Sequence, residues 1–141
     1  MSIFKVFDTA GSAMNAQSLR LNMTASNLAN AETVAGTPEQ AYRARNPVFA
    51  AALEQAAAGQ PGGGHGGVQM RGIVESQATP QALHMPDHPE ADENGYVYRS
   101  NVNTVEEMVN MMSASRSYQN NVEVMSTSRD LLLQTLRLGQ Q

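Results

Sequence analysis

Apolar residues recur along residues 2–30 with a helical rhythm. Ile3, Phe7, Ala10, Met14, Gln17, Leu21, Thr24 and Leu28 are spaced alternately by four and three, the spacing that lines one side of an α-helix as a heptad seam. Phe7, Met14, Leu21 and Leu28 share one row. Gln17 and Thr24 fall on the other, where a self-sufficient coiled coil would carry apolar side chains, so the seam is weak. Gly11 weakens the helix further, by roughly 1 kcal/mol relative to alanine. A second pattern predicts a longer helix over 103–136. Met108, Met111, Ser115, Tyr118, Val122, Met125, Arg129, Leu132 and Leu136 alternate by three and four, and Val105, Val109 and Met112 widen the stripe near its start. Asn103 or Thr104 supplies an N-cap, with Glu106 or Glu107 three residues on. These acids also suit the positive end of the helix dipole, and Gly139 marks the stop.

The middle of the chain differs in kind. Short β candidates lie at Tyr42–Phe49, Val68–Glu75 and, after an Asn94-Gly95 turn, Tyr96–Tyr98. Ala50–Ala58 fits a short helix or part of a loop. Pro80, Pro86 and Pro89 break up the stretch before the turn. Residues 59–67 hold six of the chain's eleven glycines and read as a flexible linker. The expected fold class is α+β: long N- and C-terminal helices pairing as a coiled-coil-like stem, with a small β-rich central module. The expected division is 1–33 for the first stem helix, 34–101 for the module and 102–141 for the second stem helix.

Composition sharpens this picture at the ends. Between residues 9 and 31 the only charge is Arg20, and ten positions are Asn, Gln, Ser or Thr. An ordinary surface helix carries a charged outer face, whereas a face of amides, hydroxyls and alanines can be buried if its polar groups find partners. At about 1.5 Å per residue the two helices are roughly 40–50 Å long, and pairing them with each other buries one stripe apiece. The remaining Met, Ala and Leu residues need further helices, which this sequence does not offer: other subunits supply them, or disorder persists until subunits arrive. The net charge of −4 lies entirely within residues 32–101, and the ends are neutral, so many copies of them can gather without repulsion. Lys5 is the only lysine and no basic stripe exists, which argues against nucleic-acid binding and against a polybasic membrane anchor. There are no cysteines, hence no disulfides or thiolate metal sites. The longest apolar run, Val48–Leu53, is six residues, far below the roughly 20 needed to span a bilayer. No cleavable signal pattern precedes the first helix.

Candidate chemistry is sparse. Pro86 between His84 and His88 prevents a helical ligand pair, and these residues read with His65 as solvated loop positions. Asp92, Asn94 and Gly95 form a β-turn better than a calcium loop, since the first acid and the closing Glu are missing. No Gly-Lys-Ser/Thr follows the glycine run, so it is no phosphate cradle. Glu106 and Glu107 point apart on a helix and serve the cap, and no nucleophile elbow occurs. No catalytic, cofactor or metal residue is expected. Asn22-Met23-Thr24 matches a glycosylation sequon incidentally. Arg116 is a candidate for a bond between subunits.

Residues 10–33 (AGSAMNAQSLRLNMTASNLANAET) resemble the N-terminal signature of flagellar rod and hook proteins, with the hallmark run Ala25-Ser26-Asn27-Leu28-Ala29-Asn30. Residues 101–140 are similar to the C-terminal signature of basal-body rod proteins of the FlgC type, and 42–49 and 89–103 also look like that family. Ser100 stands where many relatives have proline, and Asn120 where alanine is common. The resemblance covers nearly the whole chain. It implies a non-enzymatic structural subunit of the proximal rod, exported through the flagellar type III export apparatus without a cleaved signal and assembling in the periplasmic space. It implies terminal helices forming an inner tube, an outward-facing module, and no direct membrane insertion. Implied partners are other copies, rod proteins of the FlgB, FlgF and FlgG types, and a FliE-type adaptor. The expected assembly interface is Ile3, Phe7, Met14, Leu21, Leu28, Met108, Met111, Tyr118, Val122, Met125, Leu132 and Leu136. The alternative is a free-standing helical-hairpin adaptor or secretion chaperone.

Overall fold

The computed structural model describes residues 3–53 and 66–139. Its elements are α1 (Ile3–Ala29), β1 (Val34–Ala35), β2 (Arg45–Leu53), β3 (Gly66–Glu75), β4 (Gln81–His84), β5 (Tyr96–Arg99) and α2 (Thr104–Leu138), an α+β fold. Both helices match the periodic segments closely. Asn103 is the N-cap: its Oδ1 accepts from the backbone N–H of Val105 at 3.1 Å and Glu106 at 3.4 Å, satisfying two N–H groups that lack partners in the first turn. At the other end Gly139 N–H donates to Thr135 C=O at 3.1 Å.

Two compact units make up the chain. The first comprises Met1–Leu19, Val48–Gly72 and Ser113–Gln141; the second comprises Arg20–Pro47 and Ile73–Met112. In the first, α1 is tied to the start of β3. The Ser12 hydroxyl accepts from Val68 N–H at 3.1 Å, and the Thr9 hydroxyl reaches the Gly66 carbonyl at 2.5 Å. The second holds an antiparallel sheet in the order β1-β5-β4, with Val34 opposite Arg99 and His84 opposite Tyr96. Its central strand carries Val97, fully buried.

Two elements depart from expectation. β4 forms where prolines suggested broken chain: Gln-Ala-Leu-His has little β preference of its own, but β5 offers it a free edge and pairs all four residues. Ala50–Leu53 continue β2; the rest of the segment to Ala58, and residues 59–65 with His65, lie outside the described residues. β2 and β3 form a separate two-stranded sheet, closed by the Ser76 N–H to Ala44 C=O bond at 2.8 Å and an Arg45–Glu75 ion pair at 3.2 Å. The Asn94-Gly95 turn is as expected. Gly95 has φ +78°, and an added Cβ would lie 3.1 Å from the Pro86 Cβ.

Among the described residues the buried apolar set is Ala10, Ala16, Ala31, Ala41, Ala44, Ala114 and Val97. Six of the seven are alanine, so among the described residues Val97 is the one larger aliphatic side chain fully covered, and those of α1 such as Met14, Leu21 and Leu28 are half-buried.

Candidate assembly interface

Asn27, in the hallmark run of α1, is 1% exposed. Its Oδ1 accepts from Arg45 N–H at 2.9 Å and from the Tyr42 hydroxyl at 3.0 Å, and its Nδ2 donates to the Arg45 carbonyl at 3.0 Å. One amide thus satisfies both backbone groups of the first residue of β2 and docks that strand on the helix. Asn101 does the same from the other side. Its Oδ1 accepts from Ala44 N–H at 2.8 Å, and its Nδ2 donates to the carbonyls of Ala78 at 2.7 Å and Ser76 at 3.4 Å. Ser100, also buried, donates its hydroxyl to Ala31 C=O at 3.0 Å, accepts from Val102 N–H at 3.2 Å, and gives its own N–H to Thr33 C=O at 3.2 Å. A proline there would supply none of these bonds. Sequence reasoning missed all three residues as positioning groups; the signal available for Asn27 was an amide beside leucine and alanine near a helix end.

The turn ahead of β5 is held by Asp92. Its Oδ1 accepts from the N–H groups of Tyr96 at 2.8 Å and Asn94 at 2.9 Å, and Oδ2 from the Tyr98 hydroxyl at 3.4 Å. The bond from Tyr96 N–H is the main cause holding this carboxyl below its ordinary value of 3.8. Desolvation, followed by the nearby Asp92 charge, raises the Tyr98 phenol.

These contacts fix β2, β5 and the start of α2, and so fix which side of α2 turns outward. At 3.6 residues per turn, Val105, Met108, Val109 and Met112 share an arc of about 100°, opposite Glu107 and Ala114. The four are 68%, 54%, 55% and 63% exposed, while Glu107 and Ala114 are buried. Over its first turns, therefore, α2 turns an apolar arc outward while Glu107 is covered. The covered line runs through Glu107, Asn110, Ala114, Ser117 and Asn121, one residue, or about 100°, back from Met108, Met111, Ser115, Tyr118 and Val122 of the stripe the spacing predicts. In the second unit α1 meets the start of this line with a polar group. In the second unit Arg20 donates to Asn110 Oδ1 at 3.1 Å, and Thr24 is buried. Small residues let such helices approach, and amides then find partners. In the first unit, Val6, Ala10 and Val124 with Lys5, Thr9, Gly66 and Asn121 line an open groove of about 480 Å³.

Of the expected interface residues, Phe7, Met14, Leu21 and Leu28 are half-buried along α1, as are Met111, Met125 and Leu132 on α2. Met108, Tyr118, Val122 and Leu136 are exposed. Ile3 opens α1, its side chain outside the described residues. Arg116 is exposed. Val124, Leu131, Leu133 and Leu138, absent from that set, are exposed too, so eleven large apolar residues stand out from α2 alone. A soluble monomer scatters such residues singly; the cluster at Val105, Met108, Val109 and Met112 marks a surface that binds.

Among the described residues the two histidines stand in separate local contacts. His84 packs edge-on to Tyr96, ring centres 5.0 Å apart, and His88 Nδ1 accepts from Glu90 N–H at 3.1 Å. Among the described residues no group of three or more His, Cys, Asp or Glu is placed to hold a metal ion, and no helix is long and apolar enough to cross a membrane.

Known proteins match both ends and the whole length. Residues 7–36 match the family described as flagella basal body rod protein, and 93–138 the family described as flagellar basal body rod FlgEFG protein C-terminal. The flagellar basal-body rod protein FlgC of Salmonella typhimurium is 51% identical over 140 residues, covering 99% of this chain and 100% of that protein. FlgC of Yersinia enterocolitica is 49% identical over the same span and shares. FlgC of Buchnera aphidicola subsp. Baizongia pistaciae is 34% identical over 145 residues, again with 99% and 100% covered.

Proposed function

The chain belongs to the FlgC family of flagellar basal-body rod proteins, and from that premise we propose that its two terminal helices are the surfaces by which it polymerises. It is a structural subunit of the basal-body rod and assembles with other rod components. In the proposal, residues 1–33 and 102–141 form the stem and 34–101 the outward module. The interface includes Ile3, Phe7, Met14, Leu21, Leu28, Met108, Met111, Tyr118, Val122, Met125, Leu132 and Leu136. Neighbours are further copies, rod proteins of the FlgB, FlgF and FlgG types and a FliE-type adaptor, met in the periplasmic space after type III export without signal cleavage. The role is mechanical and not enzymatic: dense contacts transmit torque, because close-packed interfaces compress little.

The observation that carries this reading is the apolar outer arc at the start of α2, with Val105, Met108, Val109 and Met112 outward while Glu107 is covered. Full burial of one exposed side chain is worth about 1.5–3 kcal/mol, and since these four are a little over half exposed, they offer on the order of 4–7 kcal/mol together. Bringing two bodies together costs about 4–15 kcal/mol. One face therefore holds a lone pair weakly, while a subunit that touches several neighbours gains on each face. That arithmetic favours a lattice over a free-standing hairpin adaptor.

The test is the V105D/V109D double variant. Both side chains are solvated in the single subunit, so the circular dichroism spectrum should match wild type, while cells carrying the variant as sole copy should lack it in purified basal bodies and not swim. Normal rods built from V105D/V109D would refute the interface.

A further inference from the structure

Three methionines, Met108, Met111 and Met112, fall within five residues of α2, and the fold treats them differently. Met108 and Met112 are 54% and 63% exposed, one turn apart on the outward face beside Val105 and Val109. Met111, next in sequence to Met112, is half-buried. From this contrast we infer that Met108 and Met112 form an oxidant-sensitive modification site. Their sulfoxidation by a peroxide switches off association through this face. The effect on association rests on the proposed interface; the order of oxidation does not.

The chemistry is direct. A thioether sulfur attacks the distal oxygen of hydrogen peroxide; the S–O bond forms as O–O breaks, and the released hydroxide takes the proton and leaves as water. Sulfur loses two electrons and the peroxide gains them. Reactivity follows access to the sulfur, and the product is reversible by the two methionine sulfoxide reductases, one per epimer. The change matters here because of the neighbours. Methionine is a flexible apolar gap-filler suited to subunit contacts, whereas the sulfoxide is a strong hydrogen-bond acceptor. Beside it on this face stand Val105 and Val109, which donate nothing from their side chains, so covering the oxidised pair buries unmatched acceptors.

The experiment treats the purified full chain with graded hydrogen peroxide and reads each methionine by peptide-mapping mass spectrometry. Met112 should oxidise on the order of threefold or more faster than Met111, with Met108 close to Met112 and with Met70 and Met85, 41% and 45% exposed elsewhere, as external gauges. Equal rates at Met111 and Met112 would overturn the site. Sedimentation velocity then follows self-association. Oxidised wild type should associate about tenfold more weakly, and methionine sulfoxide reductases A and B should restore it. Whatever its starting level, the M108L/M112L variant should associate equally before and after peroxide. A variant that loses association as wild type does, or oxidised wild type that associates undiminished, would overturn the switch. Failure of the interface itself is read separately: V105D/V109D that self-associates normally removes the consequence of oxidation, while the order among the methionines stands or falls on its own spectra.

Discussion

Replacement of Asn27 by alanine should destabilise the second unit more than any surface substitution can. The side chain makes three hydrogen bonds while 1% exposed. Alanine leaves the Arg45 N–H and C=O without their partners and frees the Tyr42 hydroxyl. A stranded buried partner costs about 1–3 kcal/mol, so two backbone groups cost about 2–6 kcal/mol. The Arg45 side chain is exposed, so water can reach part of the gap, which brings the expectation to about 2–4 kcal/mol. Against a total of about 5–15 kcal/mol this is a large fraction. The assay is urea unfolding followed by far-ultraviolet circular dichroism. With a slope of about 2 kcal/mol per molar urea, the midpoint should fall by about 1–2 M. Asn27→Asp is a sharper case. It keeps both accepted bonds but turns a carboxylate oxygen toward the Arg45 carbonyl, and should lose at least as much. Exposed Asn22→Ala is the control, expected within about 0.5 kcal/mol of wild type. A midpoint for N27A within about 0.2 M of wild type would show that the amide does not anchor β2.

Three other outcomes follow from single positions. Asp92 titrates below 3.8 in the folded chain, chiefly through the Tyr96 N–H bond. Its contribution is in full force above the unfolded value and is lost as pH falls through the folded one, so urea midpoints between about pH 6 and pH 3 should fall more steeply for wild type than for D92N. Gly95→Ala should cost about 1–2 kcal/mol, from φ +78° and the 3.1 Å approach to Pro86. Gly11→Ala, in a helix with nothing within 4 Å of the new methyl, should instead stabilise by about 0.5–1 kcal/mol; equal signs for the two glycines in chemical denaturation would contradict the assignment.

Much of this could be read along the chain because it is local. The 3–4 spacing marks out both helices, Asn103 and Gly139 bound the second, and Asn94-Gly95 turns the chain into β5. The apolar side chains left exposed along α2 could be read from its composition too. β4 was not legible, since Gln-Ala-Leu-His becomes a strand only because β5 offers it an edge. The roles of Asn27, Ser100 and Asn101 were also hidden, because their partners lie 18, 69 and 57 residues away in sequence. Periodicity tells which residues share a face, and here it told correctly that α2 has an apolar one. Which face turns inward depends on what the rest of the chain presents to it. Within the second unit α1 presents Arg20, which Asn110 turns inward to meet, and Met108 and Met112 are left to water.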